Sequence, residues 1–198
     1  MPSSCVAALE RLSMYLASAP PRELRLKIDA PLVLFTDGAV EPSPSNPLKL
    51  VASIGACLLD PASAEYLYFG ASVPEHIVDD WCSKGAKQII TEAELLPILV
   101  ARVLFKKHFV RRPFLCFIDN EAALAGVVRG TSTNAACARI IEAIVERDLL
   151  DGALGWFARV PSASNPADAP SRGDSPCSVP GFPRPARIPL TWAAVPPL

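Results

Sequence analysis

Between Pro31 and Phe69 the chain offers three β-rich apolar runs in succession, with no helical periodicity between them. The runs cover residues 31–36, 50–59 and 64–69, and Asp60-Pro61-Ala62-Ser63, with its Asp-Pro start, signals a turn between the last two. Strands joined by short turns pair antiparallel, so this stretch predicts a three-stranded meander. Beyond it the period changes. Residues 91–107 place Leu95, Leu96, Leu99, Val100, Val103 and Leu104 at helical spacing, and residues 114–118 form a short apolar strand. Residues 121–128 and 135–145 read as helices divided by the breaker and cap cluster Gly130-Thr131-Ser132-Thr133-Asn134, and residues 154–160 as a last strand that carries Trp156 into the core. The order βββ-α-β-α-α-β predicts an α/β fold: a five-stranded mixed sheet, three antiparallel strands and then parallel ones, flanked by helices.

Outside that body, residues 5–18 set Val6, Leu9, Leu12, Tyr15 and Leu16 on one face of an amphipathic helix, which Ala19-Pro20-Pro21 ends before a charged connector over residues 22–29. Ten of the 21 prolines lie at or after Pro161, so the C-terminal stretch is neither helix nor inner strand. It either docks on the body through Phe182 and Trp192 or acts as a linker. The expected division is an N-terminal helix and linker (1–30), a body (31–173) and a Pro-rich tail (174–198).

Composition narrows the function classes. Hydrophobic residues make up 51% and charged residues 20% of the 198, which excludes a disordered chain. Nineteen basic against 20 acidic residues leave a net charge of −1 and no global field toward a polyanion. Six cysteines without a C-x-x-C pair, and only His76 and His108, supply no zinc-site spacing; the expected chain is reduced and intracellular. No signal peptide or long apolar run is present, so no membrane insertion is expected. The dense basic run Lys106, Lys107, His108, Arg111 and Arg112 reads as a solvated helix end. At 1.5 Å per residue it lies roughly 20 Å along the helix from Glu94.

Four acids carry the chemistry. Asp37 closes the first strand and Asp119 the fourth; if those strands are parallel neighbours, both carboxylates emerge at one C-terminal edge, where open α/β sheets place ligands. Glu94 lies in the first turn of the long helix, with Glu92 as the alternative, and Asp168 follows the last strand. Carboxylates gathered this closely repel one another unless protonated or bridged by cations, and an all-oxygen set favours Mg²⁺ or Mn²⁺. Gly38, Thr91 and Asn120 adjoin the acids, and Arg129 begins the loop between the two later helices; these are the candidate substrate contacts.

Phe35-Thr36-Asp37-Gly38-Ala39, Glu94-Leu95 at a helix start, Ile118-Asp119-Asn120 and Asn165-Pro166-Ala167-Asp168-Ala169-Pro170-Ser171-Arg172 resemble, in this order, the four signature blocks of type 1 ribonucleases H. With Trp81, Gln88-Ile89-Ile90 and Glu94-Leu95-Leu96, the chain is most similar to the ribonuclease H domains of retroelement reverse transcriptases. The resemblance implies hydrolysis of the RNA strand of RNA·DNA hybrids by two divalent ions roughly 4 Å apart. By the same resemblance Asp37 would bridge both ions, Asp168 would help hold the one that activates water, and Glu94 and Asp119 would complete the other. A fused or associated reverse transcriptase domain is the partner it implies, and a monomer is expected. The chain departs from the family in three places: Ser162-Ala163-Ser164-Asn165 carries no histidine, only residues 129–134 stand where a basic protrusion can occur, and Pro170, Gly173 and Pro176 allow little more than one turn of a closing helix. The alternative is a non-catalytic scaffold of the same fold. The proofreading exonuclease pattern Asp-x-Glu is absent from Asp37-Gly38-Ala39, and the integrase order Asp, Asp, Glu does not fit.

Overall fold

The computed structural model describes residues 3–18, 30–83 and 88–197; the connector over residues 22–29 lies outside them. Helix α1 (Ser3–Ser18) is followed by β1 (Leu32–Ser43), β2 (Asn46–Asp60) and β3 (Glu65–Ser72), then by α2 (Glu75–Cys82), α3 (Ile90–Leu104) and α4 (Lys106–Phe109). Strand β4 (Pro113–Ile118) leads to α5 (Glu121–Arg129) and α6 (Ala135–Asp151), and β5 (Leu154–Arg159) to the short α7 (Asp168–Ser171) and β6 (Ala186–Arg187). The strands form one mixed sheet in the order β5-β4-β1-β2-β3-β6. Pairs β1–β2 and β2–β3 are antiparallel, whereas β1–β4, β4–β5 and β3–β6 are parallel. This is the expected meander followed by parallel strands, with a sixth strand that comes from the Pro-rich tail. That tail strand has two residues and sits at the edge, as its prolines require.

Helix α3 is the buried spine. Leu95, Leu96, Leu99 and Val100 are fully buried between the sheet and α5 and α6, in a core that includes Leu34, Ile54, Phe69, Phe114 and Ile140. Arg102 of α3 is fully buried, donates to Asp148 at 2.9 Å and to Asp151 at 3.3 Å, and lies over the Phe109 ring at 4.1 Å. Helices α5 and α6 begin on the side-chain caps Asn120 and Asn134 and end on the left-handed glycines Gly130 and Gly152; Gly130 and Asn134 are the ends of the breaker cluster. On the opposite sheet face, Cys57, Leu59, Tyr66, Tyr68 and Ala167 form a second cluster that Val179 and Phe182 of the tail cover.

Several elements differ from expectation, each for a local reason. Strand β1 does not stop at Asp37: parallel pairing with β4 ends at Phe35↔Phe117, and β1 continues against β2 to Ser43. Trp156 is 70% exposed rather than in the core, because alternation on edge strand β5 turns Phe157 inward, edge-on to Phe114. Residues 75–82, read only as a loose segment, form α2 after Pro74, with Val78 and Trp81 buried one turn apart. The long helix breaks at Phe105, and α4 turns Phe109 and His108 inward. The basic run is a solvated helix end only in part: Lys106, Lys107 and Arg111 are exposed, whereas the other two members are drawn inward. His108 and Arg112 grip Asp60, with Arg112 bidentate at 2.7 and 2.9 Å, at the far end of the sheet where Val33 faces Leu59. The tail docks: Tyr66 donates to the Cys177 carbonyl at 3.2 Å, and Ile188, Leu190, Trp192 and Val195 pack against the main core. No helix among the described residues is long and apolar enough to cross a membrane.

Candidate metal-binding active site

Two strands and a helix bring three acids together. Asp37 stands two residues past the last β1–β4 pair and Asp119 one residue past the end of β4, so both project where the parallel strands part. The first turns of α3 cross β1 at Gly38, where a Cβ would fall on the backbone of Ala93; only glycine permits this approach. Pro97, one turn further along α3, has no N–H to give the Ala93 carbonyl. Glu94 is thereby delivered beside the aspartates, and Asp37, Glu94 and Asp119 each offer a ligand oxygen, all within 4.8 Å of one another.

The fourth acid stands at the margin. Asp168 opens α7 and lies outside that three-acid group; its Oδ1 accepts from Arg172 Nε at 3.0 Å. It is near enough that its charge, after burial and Asp119, raises the Asp37 pKa. Glu92 is turned away: buried, it accepts from Asn134 Nδ2 at 2.7 Å at the α6 cap, so of the two alternatives the geometry brings Glu94 to the aspartates.

Asp37 is held by two side chains that the motif reading quoted without selecting. Ser171 Oγ donates to Asp37 Oδ2, and Asn165 Nδ2 donates to the Thr36 carbonyl at 2.9 Å and reaches Asp37 Oδ1 at 3.5 Å. Both are buried. The signal for them was their position three residues on either side of Asp168. Helix α7 can carry Ser171 there because it packs on Gly55, the residue paired with Asp37 across β2; a Cβ at Gly55 would meet the backbone of Ser171 and Ala167.

Burial and mutual repulsion govern the charges. Burial, opposed by the Ser171 hydroxyl and reinforced by Asp119 and Asp168, pushes Asp37 up to about 6. Burial, followed by Asp119 and Asp37, pushes Glu94 up to about 9, although the Gly38 N–H favours its anion. Glu94 therefore carries a proton at neutral pH unless a cation takes its place. Glu94 Oε2 and Asp119 Oδ1 are buried without a hydrogen-bond partner. Close carboxylates with orphaned oxygens fit a hard divalent cation, which takes oxygen ligands and supplies the missing charge. The second group of possible ligands among the described residues, Asp60, Glu65 and His108, already contains its own cation in Arg112.

The expected substrate contacts divide. Gly38 supplies its N–H to Glu94, Thr91 lies in the first turn of α3, and Asn120 caps α5 through Ala123 N at 2.9 Å. Arg129 is not beside the acids: it ends α5, about 12 Å along the helix from its start, and its Nε bonds the Ala125 carbonyl.

An antiparallel β1–β2–β3 meander, parallel β4 and β5 on the other side of β1, and acids where β1 and β4 part together decide the architecture. The fold is ribonuclease H-like. No family model matches the chain, and no curated protein does. Solved structures similar to it include RNase H1 from the halophilic archaeon Halobacterium salinarum, at 18% identity over 72% of this chain and 96% of that one, TM-score 0.46. A second is the foamy viral protease-reverse transcriptase in complex with RNA/DNA hybrid, at 12% identity over 72% of this chain and 20% of that one, TM-score 0.46. A third is the N-terminal RNase H domain of a Mycobacterium tuberculosis protein, at 9% identity over 72% and 92%, TM-score 0.45. Helix α7 spans four residues, the single turn that Pro170, Gly173 and Pro176 allow.

Proposed function

We propose that the chain is a divalent-metal-dependent endonuclease that hydrolyses the RNA strand of RNA·DNA hybrids, with residues 31–173 as its catalytic body. The observation that carries this reading is the carboxylate cluster of buried Asp37 and Glu94 with half-buried Asp119, in which two buried oxygens have no partner. A non-catalytic scaffold gains nothing from burying them uncompensated. Asp37, Glu94, Asp119 and, from the margin, Asp168 would hold Mg²⁺ or Mn²⁺. Two such ions, when bound, supply Lewis-acid neutralisation of the phosphodiester and a water nucleophile at neutral pH.

The chain's own residues then prepare the site. Ser171 and Asn165 fix the two Asp37 oxygens, Gly38 N–H orients Glu94, and Arg172 restrains Asp168. Positioning and electrostatic stabilisation are the useful contributions to phosphodiester cleavage. Thr91, Asn120 and the Gly38 backbone are the proposed contacts to the 2′-hydroxyl-bearing strand, the feature that separates RNA from DNA. Arg129 is proposed for a phosphate of the opposing strand, a helix length away. With only residues 129–134 in place of a basic protrusion, a fused or associated reverse transcriptase domain is the proposed source of further grip.

The test is a panel of labelled RNA·DNA hybrid, matching duplex RNA and matching duplex DNA, each with Mg²⁺, Mn²⁺ or a chelator. Cleavage confined to the hybrid and abolished by chelation supports the reading. An intact hybrid in both metals overturns it.

A further inference from the structure

Beside the carboxylates, on the side away from α5, lies a groove of about 390 Å³. It is lined by Ala39, Glu41, Ser53 and Gly70 of the meander, by Ser171 and Arg172 of α7 and its C-cap, and by Arg187 of the docked tail. The groove adjoins the site directly, because the hydroxyl of Ser171, which lines it, is bonded to Asp37.

The two arginines are in different states. Arg172 is already compensated, by Asp168 at 3.0 Å and Glu41 at 3.8 Å. Arg187 pairs with no carboxylate among the described residues. It is nonetheless placed: β6 registers it against Tyr68, the Ile188 N–H bonds the Tyr68 carbonyl at 2.8 Å, and the guanidinium reaches the Gly70 carbonyl at 3.4 Å. A positioned cation without a counter-ion, lining a groove beside a proposed phosphodiesterase site, has the chemistry of a phosphate subsite.

We propose that Arg187, delivered by the C-terminal tail, binds a phosphate of the scissile strand close to the cleaved linkage. This rests on the nuclease reading above and adds a substrate contact from outside the four acidic blocks. The tail then has a functional part in addition to covering the sheet. The assignment to the scissile strand follows from Ser171, which touches both the groove and Asp37.

The test is steady-state cleavage of a labelled hybrid by the full chain in Mg²⁺, comparing wild type with Arg187→Ala, Arg187→Lys and Arg184→Ala. Arg184 is an exposed tail arginine outside the groove lining and controls for loss of one positive charge. Arg187→Ala is expected to raise KM about tenfold at low salt with kcat little changed, and to reduce the slope of log KM against log salt by about one. Arg187→Lys should recover most of the loss, which also shows that the tail is still docked, and Arg184→Ala should behave as wild type. A neutral methylphosphonate within two linkages of the cut on the RNA strand should erase the difference between wild type and Arg187→Ala, whereas the same change on the DNA strand should leave it.

Equal KM values for wild type and Arg187→Ala, equal losses in Arg187→Ala and Arg184→Ala, or erasure by the DNA-strand substitution alone would each overturn the subsite while leaving the nuclease reading intact. A wild-type chain that cleaves no hybrid overturns both.

Discussion

Asp37 is held by neighbours that a motif does not rank. Ser171 and Asn165 fix its two oxygens, and groups that orient metal ligands typically change metal affinity by 10- to 100-fold. Ser171→Ala and Asn165→Ala are each expected to weaken Mg²⁺ binding by about that factor, read by calorimetric titration, with Asn165→Ala also releasing the Thr36 carbonyl. The raised carboxylates fix a second expectation. A carboxyl whose folded pKa exceeds its unfolded value stabilises the fold below the unfolded value and loses that contribution as pH rises through the folded one. For Glu94, pushed up to about 9, and Asp37, pushed up to about 6, metal-free stability therefore declines as pH rises from 5 to 9. The thermal midpoint should drop by at least about 3 °C over that range, with most of the drop removed in Glu94→Gln or by saturating Mg²⁺. A midpoint that rises over that interval contradicts the clustered site. At this scale the three acids that the structure gathers, Asp37, Glu94 and Asp119, were legible because each carries a block around it; Asp168 was read with them and stands at the margin. Ser171 and Asn165 were not, because small polar residues beside prolines read equally well as turn formers. Trp156 was misplaced because alternation gives two phases, and only the strand's edge position selects the outward one.

Among the elements, α7 matters far beyond its four residues. It seats Ser171 and Asp168 by lying on Gly55, so a methyl group there pushes α7 away from Asp37. Gly55→Ala is expected to destabilise by about 1–3 kcal/mol, as overpacking does, and to weaken Mg²⁺ binding with it. Thermal melts and metal titrations should move together; a melt shift with unchanged metal affinity would place α7 outside the site. The strands and the paired helices α5 and α6 were readable from periodicity and caps, since local chemistry alone specifies them. The break between α3 and α4 was not. Helical periodicity runs through Phe105, and what interrupts it is tertiary: burial of Phe109 and the grip of His108 and Arg112 on Asp60 from a distant strand. The same holds for β1, whose continuation past Asp37 depends on pairing with β2.

On the scale of the whole molecule, the sheet has two faces with different covers. Helices α3, α5 and α6 close one, joined by Ile188, Leu190, Trp192 and Val195 of the tail; the tail also covers the second cluster through Val179 and Phe182, and β6 pairs with the outer strand. Proline content located this segment but could not say that it docks, because proline excludes helix and inner strand without specifying contacts. Removing residues 174–198 should uncover Tyr66, Tyr68 and their cluster and lower the thermal midpoint by roughly 5 °C or more. An unchanged midpoint would show the tail to be dispensable to the fold. The central claim is that the acids gathered by β1, α3 and β4 make this chain a metal-dependent nuclease. The most direct measurement is single-turnover cleavage of an RNA·DNA hybrid by wild type and Asp119→Asn at saturating Mg²⁺. The account predicts hybrid cleavage by wild type and a loss of at least about 10³-fold in the variant, which keeps the shape of the side chain but removes a ligand charge. Cleavage that survives Asp119→Asn, or a wild type that leaves the hybrid intact, would contradict it.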